Sequence, residues 1–266
     1  MPDVGPVRHA RQRRRVQRVK IGSLFSGIGG LELGLEAAGL GETVWQVEKN
    51  EYARRVLAKH WPKAERFDDA RTVGASNLER VSIIAGGFPC TDTSVSGQVV
   101  RKQAGVAGPH SSLWWHMLRI CRELLPEYIV VENPAGLITN SNGIGNVLGG
   151  LASIGYNARY DTLSSSAVGA PHIRFRVFII AHRNVPDADR SRLPKREGME
   201  GHWAHAAVAG GARWDREPGV CRVVTGVPNR VDRVRCLGNA VTPAVGYQVG
   251  LALKQMIQER ASPATA

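Results

Sequence analysis

The sequence predicts an α/β fold on a mostly parallel sheet, and three observations predict it. Short apolar runs alternate with helical stretches through most of the chain, the pattern of strands joined by crossover helices. The runs at 81–85 (VSIIA) and 128–131 (YIVV) are nearly continuous rather than alternating, as strands covered on both faces require. Successive runs also end in glycine, acidic or thiol residues, which open α/β sheets place at the ligand-binding edge.

Taken in order, residues 1–18 form a basic tail expected to be disordered, with Arg8, Arg11, Arg13, Arg14, Arg15 and Arg18 in it. A strand over 19–25 breaks into the turn Ser26-Gly27-Ile28-Gly29-Gly30, and a helix over 31–38 stops at Gly39. A strand over 43–47 ends at Glu48, and a helix over 51–60 is closed by Trp61-Pro62. A short third strand ends at Phe67-Asp68-Asp69. The fourth, 81–86, runs into Gly87-Phe88-Pro89-Cys90. The connection 91–111 carries many Gly, Ser and Thr residues and is long enough to act as a lid.

A helix over 112–125 sets Leu113, Trp114, Met117, Leu118 and Cys121 at helical spacing, so Cys121 reads as core. The fifth strand leads into Glu132-Asn133-Pro134, a helix spans 142–154, and strands at 159–163 and 176–181 close the pattern. Residues 183–220 break it, with many charges, Trp203, Trp214 and no apolar period. The chain recovers in a basic stretch at 229–235, a turn at 238–243 and a helix over 244–258. The expected organisation is a tail (1–18), a catalytic and cofactor-binding domain (19–182), a small irregular recognition region (183–227) and a segment returning to the catalytic domain (228–266).

The chain has 266 residues, 43% of them hydrophobic, enough for one large domain core. No apolar run approaches a membrane span of roughly 20 residues, and no secretory leader is read at the N-terminus. Cys90, Cys121, Cys221 and Cys236 show no paired spacing, against a disulfide framework or a zinc site and for a reducing, cytoplasmic setting. The formal net charge of +12 points to a polyanionic partner, most simply nucleic acid.

The glycine turn, Glu48, Asp69, Cys90 and Glu132 should share one sheet edge. An acidic residue placed as Glu48 is can take both hydroxyls of a ribose. A cysteine beside a buried glutamate suits covalent catalysis on a base: the thiolate adds to an electron-poor ring carbon and the carboxylic acid protonates a ring nitrogen. The thiol needs nearby positive charge to ionise at neutral pH, and Arg174 and Arg176 are candidate sources.

These residues closely resemble the cytosine-5 DNA methyltransferases of the compact bacterial and phage type. FSGIGG at 25–30, GGFPC at 86–90, VVENP at 130–134, GAPHIRFRVF at 169–178 and LGNAVTP at 237–243 stand in family order, covering roughly 19–182 and 228–258. The resemblance implies a Rossmann-like S-adenosylmethionine-dependent fold and methyl transfer to carbon 5 of a flipped cytosine through a covalent cysteine adduct. It makes Cys90 the nucleophile, Glu132 the partner of ring nitrogen 3, Arg174 a contact to the cytosine and Arg176 its support. Phe25, Gly27, Ile28 and Gly30 would cradle S-adenosylmethionine. Glu48 would take its ribose and Asp69 its adenine amino group, with Gly87, Pro89, Leu113 and Asn239 completing the pocket. Ser94 and Ser96 would lie near DNA phosphates. Thr91, Pro134 and His172 depart from the usual glutamine, valine and glutamine.

The implied partner is double-stranded DNA, bound by a monomer with no metal and no membrane; a restriction endonuclease partner is not readable from this chain. The recognition region is short, with a target of about two to four base pairs expected because each bidentate contact discriminates by only ~1–3 kcal/mol. Three other readings stay open. An NAD-type oxidoreductase would use the glycine turn and Glu48, although the spacing is not GxGxxG. An RNA cytosine-5 methyltransferase would share the fold and the thiol chemistry. A catalytically silent DNA-binding relative would need neither Cys90 nor Glu132.

Overall fold

The computed structural model describes residues 19–89, 113–139, 143–183 and 230–261. Among these, one seven-stranded sheet runs in the order β3-β2-β1-β4-β5-β7-β6. Its strands are β1 (Lys20–Leu24), β2 (Glu42–Val47), β3 (Glu65–Phe67), β4 (Ile83–Gly86), β5 (Tyr128–Pro134), β6 (Tyr156–Ser164) and β7 (Phe175–Arg183). The first five pair in parallel, and β7 runs antiparallel between β5 and β6. The carboxyl ends of β1 to β5 therefore share one edge, and chain order reverses between β1 and β4, the place where open sheets bind ligands.

The helices are α1 (Gly30–Ala37), α2 (Glu51–His60), α3 (Leu113–Leu124), α4 (Gly136–Thr139), α5 (Gly143–Ser153), α6 (Arg230–Asn239) and α7 (Pro243–Ala261). On one face of the sheet, Trp114, Met117 and Cys121 of α3 and Val147 and Leu151 of α5 pack against Leu24, Ile84, Ile129 and Val131. On the other, Leu31 and Leu35 of α1 and Val249 and Leu253 of α7 cover Ile21, Ile83 and Val130. This two-sided cover explains the unalternating strands. Cys121 is core, as its helical position predicts, and burial pushes its thiol pKa up.

The α1–α7 contact needs close backbone approach. A side chain on Gly34 would overlap the Gly246–Tyr247 backbone, and one on Gly250 would strike Ala38. α2 has the start and stop its sequence implies: Asn50 Oδ1 accepts from Ala53 N at 2.9 Å, Glu51 lies in the first turn, and Lys59 and His60 lie in the last.

Boundaries differ from the sequence expectation at β5, β6 and α6, and β6 begins at Tyr156 rather than at 159. β5 continues through Glu132 and Asn133 to Pro134, because β7 pairs with it to the end, Glu132 opposite Phe178 and Pro134 opposite Arg176. The basic stretch at 229–235 and the start of the expected turn at 238–243 form α6 instead. The apolar residues of α6, Val231, Val234 and Leu237, recur every three positions, a weak helical spacing among charged neighbours, and all three are exposed. α4 and a 3-10 turn over Ser165–Val168 are additional. Among the described residues no helix is long and apolar enough to cross a membrane.

Candidate active site

A cleft of ≈ 380 Å3, counting space open to solvent, lies at the reversal point. It is lined by the β1 end and the glycine turn, Ser23 to Gly27, by Gly30, Leu31 and Glu32 of α1, by Gly86, Gly87 and Glu132 at the β4 and β5 ends, and by Asn239, Ala240 and Val241. The sequence brings the chain round this tightly through left-handed backbone: φ is 55° at Phe25, 56° at Gly27 and 88° at Gly29. Phe25 is not glycine, so holding it there costs of order 1–3 kcal/mol. A side chain on Gly27 would meet nothing within 4 Å, so its backbone is bare to the cleft. The N-terminus of α1 has no side-chain cap, leaving donors at its positive end.

Glu48, just past β2, clamps this turn. Its Oε2 accepts from Gly27 N at 2.8 Å and its Oε1 from Asn50 N at 2.7 Å. Asp69 follows β3 and is held by Arg71, whose Nη2 lies 2.5 Å from Oδ2. That hydrogen bond lowers the Asp69 pKa to about 2.

Glu132 is 7% exposed. Arg176 Nε stands 2.8 Å from its Oε1, as an ion pair. The N–H is not aimed at that oxygen, and Oε1 has no aligned hydrogen bond. Burial raises the Glu132 pKa, while the charges of Arg176 and Arg174 pull it down. A side chain on Gly87 would overlap Glu132 Oε2, so glycine at the β4 exit makes room for this carboxylate. Asn133 Nδ2 donates to Phe88 O at 3.1 Å, and Phe88 packs on Trp114 with ring centroids 5.3 Å apart. The backbone just before Cys90 is thus tied to the strand that carries Glu132.

Arg174 has partners that its expected role does not name. Nη1 donates to Gly238 O at 2.7 Å and Nη2 to Ala240 O at 2.9 Å. It buckles the end of α6 onto the start of β7, and Ser165 Oγ with Thr242 Oγ1 at 2.8 Å adds a second tie.

Of the expected site residues, the cleft brings together Phe25, Gly27, Gly30, Gly87, Glu132 and Asn239. Glu48 and Arg176 act on residues that line it. Ile28, Asp69, Leu113, Pro89 and Arg174 are not among its lining residues. Cys90, Ser94, Ser96, the connection 91–111 and nearly all of 183–227 lie outside the described residues. Sequence reasoning missed Ser23, Ser26 and Glu32; the available signal was an acidic residue next to Leu31 and three positions before Leu35, both buried on the same helix.

The family model for C-5 cytosine-specific DNA methylase matches residues 19–204. The type II methyltransferase M.Bsp6I of Bacillus sp. (strain RFL6) is 31% identical over 179 residues, 66% of this chain and 56% of that protein. The type II methyltransferase M.HgiCII of Herpetosiphon aurantiacus is 34% identical over 172 residues, 62% of this chain and 38% of that one. The chain thus spans about half the length of the curated relatives it matches. The Entamoeba histolytica methyltransferase EhMeth shares the fold, with a TM-score of 0.54 at 19% identity over 70% of this chain and 57% of that one.

Proposed function

The chain belongs to the C-5 cytosine-specific DNA methylase family, and on that premise we propose that it transfers a methyl group from S-adenosylmethionine to carbon 5 of a cytosine in double-stranded DNA, in the cytoplasm. The observation that carries this is the buried Glu132, ion-paired to the partly buried Arg176, lining the same cleft as the glycine turn before α1. One site thus joins a place for a cofactor with a carboxyl group able to serve a base.

The residues fit the cofactor. The bare Gly27 backbone and the uncapped start of α1 offer room and donors, and Glu48 stands beside the turn as an acceptor. Phe25, Gly27, Ile28, Gly30, Gly87 and Asn239 would hold it, with Glu48 on its ribose, Asp69 on its adenine side and Pro89 and Leu113 beside it. When bound, it supplies an electrophilic methyl group.

The chain's own residues do the rest. The Cys90 thiolate forms a bond to carbon 6 of the flipped cytosine, and the electron pair pushed into the ring is met at nitrogen 3 by the Glu132 carboxyl, which donates a hydrogen bond or its proton. Its raised pKa keeps that proton available. Arg176 positions Glu132. After carbon 5 is methylated it loses its proton, and the Cys90–carbon 6 bond breaks. Arg174 serves the site by holding the Gly238–Ala240 backbone over the cleft, leaving any contact to the cytosine to follow from that placement. Ser94 and Ser96 would meet phosphates, and the region 183–227 would read the bases.

The test is methyl transfer from labelled cofactor to DNA and, in parallel, to tRNA. Label in DNA cytosine supports the reading; label only in tRNA, or in neither, overturns it. DNA carrying 5-fluorocytosine should trap a covalent adduct in the presence of cofactor, and Cys90→Ser should abolish it. An adduct of equal yield in that variant would remove Cys90 from the mechanism.

A further inference from the structure

The cleft contains a second buried carboxylate that the chemistry above does not use. Glu32 stands in the first turn of α1, 1% exposed, and lines the cleft. Its Oε1 accepts from Ser23 Oγ at 2.5 Å. Ser26 Oγ donates to that same Ser23 Oγ at 2.8 Å. Two hydroxyls therefore link the carboxylate to the turn that presents Gly27.

The charges around the cleft are lopsided. Among the described residues lining it, the charged side chains are Glu32 and Glu132, with no lysine or arginine. Glu132 has Arg176. Glu32 forms no ion pair with any described residue. Among the described residues, the charged groups on α1 and on the elements packed against it are Glu36 on the helix itself, Glu42 on β2 and Lys254, Glu259 and Arg260 on α7, with Glu48 beyond β2, Arg66 on β3 and Glu132 on β5 farther along the sheet. Arg66 donates to Trp61 O, and Lys254 donates to Ala38 O at the far end of α1, so neither neutralises Glu32. Burial raises the Glu32 pKa to about 7; the hydrogen bond from Ser23 opposes the rise and the charge of Glu36 adds to it. A carboxylate buried without a cation is costly, and a ligand that brings positive charge favours its ionised form.

We propose that Glu32 is the counter-charge of the cofactor site: it gives up its proton to solvent as S-adenosylmethionine binds, attracts that cofactor's positive charge, and so separates the sulfonium substrate from the product S-adenosylhomocysteine, whose sulfur is neutral. This rests on the cofactor assignment above. It gives the site a means of favouring substrate over product when both share the adenosyl and amino-acid parts.

Calorimetric titration of the full chain with S-adenosylmethionine and with S-adenosylhomocysteine tests it, at pH 6, 7 and 8 and in two buffers of different ionisation enthalpy. Wild-type protein should bind S-adenosylmethionine about tenfold more tightly at pH 8 than at pH 6, because at pH 6 a proton must be displaced, and should release close to one proton there. Glu32→Gln keeps an acceptor for Ser23 but has no proton to lose. Its affinity should be flatter with pH, and its preference for S-adenosylmethionine over the product should shrink several-fold. The cofactor's own amino group titrates near 8 in both proteins, so the difference between them is what is read. Should Glu32→Gln fail to fold, Ser23→Ala removes a hydrogen bond that favours the ionised form and should move the binding midpoint to higher pH. If wild type and variants bind with the same pH profile and the same substrate-to-product ratio, the inference is overturned while the cofactor assignment stands. If wild type binds S-adenosylmethionine at no pH, both fall.

Discussion

Glu132 and Glu32 both line one cleft, buried to 7% and 1% exposure, yet their surroundings differ. Glu132 leaves a strand whose antiparallel neighbour supplies Arg176 two positions before its pairing partner Phe178. Among the described residues, Glu32 has hydroxyls and the start of its own helix for partners. At Glu132 the charge is neutralised within the protein. At Glu32 it is left to be met from outside, or suppressed by a proton. The difference teaches that burial alone does not assign a role: the partner decides whether a carboxyl is kept ready for chemistry or left responsive to a ligand.

The largest effect expected from breaking this comparison is on Glu132. Glu132→Gln should lower methyl transfer by roughly 10²–10⁴-fold, the range for losing a positioned acid, in single-turnover assays with DNA. A loss under threefold would mean that the carboxyl is structural.

Removing the partner comes next. Arg176→Ala should destabilise the fold by about 3–5 kcal/mol at pH 8, because an unpaired charge stays buried. Near pH 4 most of that loss should vanish, since Glu132 is then neutral. Urea denaturation at the two pH values measures it, and a pH-independent loss would point to packing instead.

At Glu32 the sign reverses. The Glu32 carboxyl has a folded pKa of about 7 against an ordinary 4.5. Its contribution to stability is therefore fully present below 4.5 and is lost as pH rises through 7. Glu32→Gln should leave stability near pH 4 almost unchanged and raise it by on the order of 3 kcal/mol at pH 8, as the separation of the two values implies. Denaturation midpoints across that range would show it; a variant less stable than wild type at pH 8 would sink the account.

The smallest effect sharpens the comparison by lying apart from both carboxylates. Asn50→Ala removes the α2 cap and should cost about 1 kcal/mol in urea unfolding, with little pH dependence. A much larger loss would mean that Asn50 also supports Glu48 and through it the glycine turn.

Much of this was legible in the sequence, for identifiable reasons. The parallel strands and their covering helices follow from apolar runs too continuous for a half-exposed sheet, and α2 was readable to the residue because Asn50, Glu51 and the Trp61-Pro62 stop are local signals. The edge position of the glycine turn, Glu48 and Glu132 followed from strand ends, since parallel strands must present their carboxyl ends together. Local pattern did not contain the rest. The run of β5 through Glu132 to Pro134 exists because β7 pairs with it. The amphipathic signal was weak in α6, whose end is held by Arg174 reaching across 64 residues. The cation beside Glu132, and the lack of one beside Glu32 among the described residues, arise where segments distant in sequence meet, and only the tertiary structure decided them, because the charge a buried group feels is set by its neighbours in space rather than by those in the chain.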